Sequence, residues 1–155
     1  MKYTTENEFE NFDFHETYIK DLEPGNNYFH IWLDNVKILP ENSKNRDIRM
    51  MRANNLMFSI QEASILSIIH EGVKIYDADG NSKGERPDEP VVPEKYTEIW
   101  PLFLEGCIYS MEKEKNEAGL YILIVDTSEG ETYEIKIAGS GEKESWDKFL
   151  NMDSM

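Results

Sequence analysis

The stretch G-L-Y-I-L-I-V-D-T-S-E-G-E-T-Y-E-I-K-I-A-G, Gly119 to Gly139, decides the fold. Leu120 to Val125 is an unbroken apolar run with β-branched and aromatic members, too short for a lone helix. That is the pattern of a strand covered on both faces. Asp126-Thr127-Ser128-Glu129-Gly130 supplies turn chemistry, with a glycine free to take positive φ. Beyond it Tyr133, Ile135 and Ile137 alternate with Thr132, Glu134 and Lys136, so the second strand buries one face and wets the other. A central strand and its half-exposed neighbour form a hairpin that further strands must complete.

Upstream, Cys107 to Met111 and Ile99 to Phe103 read as strand around an irregularity at Gly106, with Met111 to Asn116 as a charged turn. Tyr28 to Leu33 is a strand that sets Phe29, Ile31 and Leu33 on one face and Tyr28, His30 and Trp32 on the other. It follows a weakly alternating segment, His15 to Leu22, and a Pro24-Gly25-Asn26-Asn27 turn. The apolar phase then slips by one residue to Val36 and Ile38, which requires a bulge or corner near Asp34-Asn35. Leu56 to Ile60 is a strand. Residues 61 to 69 fit either a buried strand after a bulge at Glu62-Ala63, the reading we favour, or a helix with a Ser59–Glu62 capping box. Val73 and Ile75 lead into a turn at Asp77-Ala78-Asp79-Gly80-Asn81.

Residues 82–98 hold three of the six prolines and read as a long, acidic surface loop. Residues 1–13 read as a frayed lead-in with Phe9 and Phe12 as anchors. At the other end Trp146, Phe149 and Leu150 share a face at i, i+3 and i+4 behind Ser140 as N-cap, which predicts a short C-terminal α-helix over 142–151. The expectation is one domain, 1–155, mainly β: an antiparallel sandwich or open barrel of roughly seven to nine strands, closed by that helix.

Composition limits function. A single cysteine, Cys107, excludes an internal disulfide. The longest apolar run is far short of a membrane span, and the opening residues have no signal-peptide core, so a cytoplasmic protein without a membrane partner is expected. The net charge of −15, from 31 acidic and 16 basic side chains, disfavours nucleic acid and favours a basic protein partner or simple solubility. Three of the four arginines cluster in Arg46-Asp47-Ile48-Arg49-Met50-Met51-Arg52, a basic, methionine-bearing island whose secondary structure the pattern leaves open.

Few constellations carry chemistry. Asp77, Asp79 and Asn81 stand at the first, third and fifth positions of a calcium-loop pattern, and Asp88 at the twelfth. The glycine needed at the sixth is Ser82, and Pro87 and Pro90 block a following helix, so a plain hairpin turn is the stronger reading. His15, His30 and His70 lack metal-ligand spacing. Gly139-Ser140-Gly141 is not a nucleophile elbow, and Cys107 sits in an apolar strand context. No cofactor is implied. Tyr28, His30 and Trp32 would form a contact surface if no second layer covers them.

The opening F-D-F-H-E-T-Y-I, Phe12 to Ile19, with the turn and strand after it, resembles small bacterial all-β proteins that begin Phe-His-Asp-(Ser/Ala)-x-Ile; Glu16 stands where Asp is usual. The closing G-S-G-E-K-E-S-W-D-K-F, Gly139 to Phe149, is similar to the Trp-containing ends of such chains. Some of these are immunity-type proteins that neutralise toxins. The resemblance covers only the two ends and implies a protein-binding role without active-site residues. The sequence thus points to a non-enzymatic, intracellular protein-binding domain, an immunity-type inhibitor of a basic toxin, with Tyr28, His30, Trp32, Glu85, Asp88 and Glu89 as contacts. The alternative is a small-ligand or calcium-binding β domain that uses the 77–98 loop.

Overall fold

In the computed structural model, which describes residues 1–114 and 119–153, the two halves of the deciding stretch pair in antiparallel register from Leu120↔Ala138 to Asp126↔Thr132. In chain order the strands are β1 (Tyr3–Glu6), β2 (Phe12–Asp13), β3 (Thr17–Pro24), β4 (Tyr28–Asp34), β5 (Val36–Ile38), β6 (Met51–Ala53), β7 (Leu56–Gln61) and β8 (Ser64–His70). There follow β9 (Val73–Tyr76), β10 (Ser82–Arg86), β11 (Glu89–Pro90), β12 (Cys107–Lys113), β13 (Leu120–Asp126), β14 (Thr132–Ala138) and β15 (Gly141–Trp146). Among the described residues, helical structure is confined to a 3₁₀ turn at Phe9–Asn11 and to the joined segment Pro93–Lys95, α1 (Tyr96–Ile99) and Trp100–Phe103.

Ten strands form one sheet in the order β1-β15-β7-β4-β3-β12-β13-β14-β8-β11, and β2, β5 and β6 form a small second sheet. The fold is mainly β and antiparallel, as the sequence predicts; the described residues form fifteen strands rather than seven to nine, eight of them of six or more residues. The large sheet doubles over itself because two long segments turn a corner together. Residues 56–61 pair with 141–145, and residues 64–70 pair with 133–138. The corner lies at Glu62, which takes φ +51°, and at Gly139, where a β-carbon would run into the Ile60 side chain. Doubling over brings β7 against β13, with the Phe58 and Tyr121 rings 6.1 Å apart.

One buried cluster fills the space between the halves, including Phe29, Ile31 and Leu33 of β4, Phe58 and Ile60 of β7, Leu123 and Val125 of β13, and Ile135 and Ile137 of β14. The strand reading of 61–69 holds. The phase slip after Leu33 also holds: Asn35 takes φ +65°, and β5 leaves the large sheet for the small one.

Several expectations are corrected. Residues 142–151 do not form a C-terminal helix; β15 pairs with β7 on one side and β1 on the other, and Trp146 is wholly buried. A helix there would gain tenths of a kcal/mol per residue from propensity, whereas burying an aromatic side chain removes roughly 150–250 Å² from water at about 25 cal/mol per Å². The 1–13 segment is not frayed. β1 pairs along Tyr3↔Trp146 to Glu6↔Lys143, and Phe12 is buried. Residues 82–98 are not a loop but β10, β11 and the start of the helical segment. Their prolines occupy positions that need no N–H: Pro90 lies on the edge strand β11 and Pro93 opens a 3₁₀ turn. Ile99–Phe103 is helical rather than extended, with Pro101 in the first turn. Finally, Leu120–Val125 is central but buried on one face only; Ile122 and Ile124 are half-buried on the other, beside Lys136 and Glu134. Of the predicted charged turn, Met111 to Lys113 belongs to β12, and Lys115 and Asn116 lie outside the described residues.

Candidate protein-binding face

The hairpin β3–β4 builds the outer face on which the predicted aromatic residues meet. Inward, Ile19, Leu33 and Ile31 enter the core. Outward, the register sets Trp32 opposite Asp21 and His30 opposite Glu23, after a bulge at Lys20. Without that bulge the two carboxylates would point the other way. The Tyr28 and His30 rings meet edge to face at 4.4 Å, and His30 and Trp32 lie 6.0 Å apart. His30 Nδ1 is 3.3 Å from Met57 Sδ on the neighbouring β7. Tyr28 folds over Gly25, where a β-carbon would strike its ring, and its hydroxyl donates to Glu23 at 3.1 Å, which raises the Tyr28 pKa. This face is open: Tyr28 is 37% exposed, His30 and Trp32 are half-buried, and Asp21 and Glu23 are exposed. The predicted aromatic trio therefore exists as a connected row, edged by two carboxylates and a methionine that sequence reading did not select. Their placement depends on cross-strand register, which no local pattern gives.

The predicted acidic set does not join it. Glu85 is on β10, in a two-stranded hairpin with β9 that stands apart from the large sheet and interleaves acids with Lys74, Lys83 and Arg86. Asp88 Oδ1 accepts the Gly72 N–H at 2.6 Å, and Glu89 sits opposite His70. The hairpin is tied to the body by one ionic cluster. Glu131 Oε2 is 2.8 Å from both Arg86 Nη2 and His70 Nε2, and the His70 ring stacks on Tyr133 at 4.6 Å. Arg86, and then His70, pull the Glu131 carboxyl down to a pKa of about 2.

Asp77, Asp79 and Asn81 form the tip of this hairpin. Asp77 Oδ1 accepts the N–H groups of Asp79 and Asn81 at 2.9 Å each, Asp77 Oδ2 faces Lys83 at 3.7 Å, and Gly80 takes φ +83°. The turn reading is the one observed. Among the described residues no three His, Cys, Asp or Glu side chains converge on a common point. Cys107 is half-buried, and its thiol is pushed up by burial, then by Asp126 and Glu16, away from nucleophilic thiolate character. Ser140 is engaged with the Gln61 carbonyl.

The least expected arrangement is interior. β15 points Glu142, Glu144 and Trp146 inward at i, i+2 and i+4, and neither glutamate is more than 1% exposed. Glu142 Oε1 accepts from Tyr121 Oη at 2.8 Å and Lys113 Nζ at 3.0 Å; Glu144 Oε2 accepts from Thr5 Oγ1 at 3.2 Å. The other two oxygens, Glu142 Oε2 and Glu144 Oε1, have no donor among the described residues, and the two side chains lie within hydrogen-bonding reach. One proton held between them satisfies both. Burial, and then the neighbouring Glu142, push the Glu144 carboxyl up to about 9. The signal was present as the spacing E-K-E-S-W, but it reads as a solvated face until the strand register is known.

No family model, curated protein or solved structure matches this chain.

Proposed function

We propose that this protein is a non-enzymatic protein-binding domain, of the immunity-inhibitor kind, that captures a basic segment of another protein on its outer β3–β4 face. The observation that carries the reading is the open row Tyr28, His30 and Trp32, set directly against Asp21 and Glu23. An arginine or lysine lying along the row would meet the Trp32 ring and a carboxylate together. Cation–ring contact contributes roughly 0.5–2 kcal/mol, according to how fully the pair is desolvated. The charge of −15 would draw such a partner in and make association sensitive to salt. Beyond Ile19 the outer edge of β3 carries Lys20, Asp21, Glu23 and Pro24, residues that discourage edge-to-edge strand pairing, so side-chain recognition is the mode that fits. The resemblance of both chain ends to small bacterial all-β proteins, some of them immunity-type, supports the same reading.

The test is capture of partners from the protein's own cells at low and high salt, with the wild type beside Trp32→Ala and the double variant Asp21→Lys, Glu23→Lys. A basic protein held by the wild type, weakened by salt and lost from both variants is the expected result. A captured partner that both variants retain equally, or no capture at low salt, overturns the proposal.

A further inference from the structure

The basic island has a structural setting that the binding face does not use. Lys44, Asn45, Arg46, Asp47, Ile48 and Met51 wall a cavity of about 640 Å³, with Tyr3 and Phe149 completing its lining. That volume is within the ordinary range of small-molecule sites. The Tyr3 and Phe149 rings meet at 4.8 Å and 66°, and Tyr3 stacks on the buried Trp146 at 5.7 Å, so the aromatic wall is fixed from behind.

The rest of the lining carries two cations, Lys44 and Arg46, on a backbone that is held in place. Asn45 is buried and donates from Nδ2 to the carbonyls of Ile38, Leu39 and Arg49, while its Oδ1 accepts the Asp47 N–H at 2.9 Å. Asn42 Oδ1 accepts the Lys44 N–H at 2.9 Å, and Ser43 is anchored on Glu8 through both its N–H and its hydroxyl. These bonds set the backbone that carries Lys44 and Arg46. The carboxylate in this part of the lining, Asp47, already faces Arg49 at 3.4 Å. In a chain with 31 acidic side chains, the Arg46 guanidinium has no ionic or hydrogen-bond partner among the described residues. A third cation, Lys2, lies 5.5 Å from the centre of the Tyr3 ring. An acidic molecule that leaves a guanidinium unpaired beside a fixed aromatic wall presents the two halves of one recognition chemistry.

We infer that this cavity binds a small organic anion built on a flat apolar ring, with the ring against Tyr3, Phe149 and Met51 and the anionic group on Arg46 and Lys44. Arg46 offers a planar donor fork suited to a carboxylate or phosphate. The ring requirement separates this site from a general anion site, since a bare oxyanion leaves the aromatic wall in water.

The probes are 2-naphthoate, its neutral carboxamide and inorganic phosphate, titrated into the full chain and followed by calorimetry and by amide chemical-shift mapping. Naphthoate is expected to bind saturably at or below about 1 mM, with shifts centred on Tyr3, Lys44 to Ile48 and Phe149. The carboxamide and phosphate should each bind about tenfold more weakly. Arg46→Gln, an exposed position where the fold is not at stake, should weaken naphthoate about tenfold and leave the carboxamide unchanged. Phe149→Ala should weaken naphthoate and carboxamide alike. Absence of saturable binding, shifts that map elsewhere, phosphate as tight as naphthoate, or an Arg46→Gln variant with wild-type affinity would each overturn the inference.

Discussion

Replacing Glu144 by Gln removes the proton that the folded core holds and keeps the shape of the side chain. Glu144 is wholly buried, and its pKa is about 9 when folded, against 4.5 for an ordinary glutamate. Between these values the native state binds a proton that the unfolded chain has released. Stability must therefore fall as pH rises, with a slope of up to about 1.4 kcal/mol per pH unit. The contribution is complete below the unfolded pKa and is lost as pH climbs toward the folded one. From pH 5 to pH 8 the limiting loss is about 4 kcal/mol, and relaxation of the interior makes about 2 kcal/mol a reasonable lower figure. For a chain of this length 1 kcal/mol corresponds to roughly 2–4 °C in Tm, so the wild type should melt some 4–16 °C lower at pH 8 than at pH 5 from this group alone. Glu144→Gln abolishes that part of the slope, because its amide can donate to Glu142 Oε2 at every pH. The titrating groups outside this pair are common to both proteins and cancel in the difference. Guanidinium unfolding of both proteins from pH 5 to pH 9 measures it. Parallel stability curves would refute the shared-proton account of β15.

Two further outcomes follow from the same packing. Phe14 is 3% exposed and contacts Phe12 and Phe58, so Phe14→Ala should cost about 3–5 kcal/mol by denaturant titration; a loss under about 1 kcal/mol would mean that the N-terminal segment does not belong to the core. Glu131→Gln should free Arg86 and His70 and speed amide exchange in Val73–Tyr76 and Ser82–Arg86 with little change in global melting, and acidification through the ordinary glutamate range toward pH 2 should act in the same direction on the wild type. Unchanged exchange in the variant would show that the hairpin is held otherwise.

What could be read along the chain was local. The hairpin of Leu120 to Ala138 needs only alternation and a Thr127–Gly130 turn, the turn at Pro24-Gly25 needs only its residue types, and the slip at Asn35 shows in the parity of Leu33 and Val36. Each rests on the two-residue period of a strand or on a residue that tolerates positive φ. The aromatic row belongs to the same class, since Tyr28, His30 and Trp32 share a face in any extended segment.

What could not be read depends on contacts across long sequence separations. β1 is a strand because Tyr3 lies opposite Trp146, and β15 is a strand because it fills the gap between β1 and β7. A three-residue helical periodicity cannot outweigh pairing on both sides and a fully buried indole. The prolines of 82–98 argued for a loop because sequence does not show which N–H groups a fold leaves free. Asp21 and Glu23 reach the aromatic row only through the bulge at Lys20, and the cavity exists only where residues 44–51 meet Tyr3 and Phe149. Sequence by itself determined an acidic, antiparallel β protein and the outward face of β4, because those follow from side-chain chemistry and strand period. The tertiary structure alone decided which carboxylates were buried as a proton-sharing pair and which were left to solvent, because desolvation is a property of the surroundings and not of the residue.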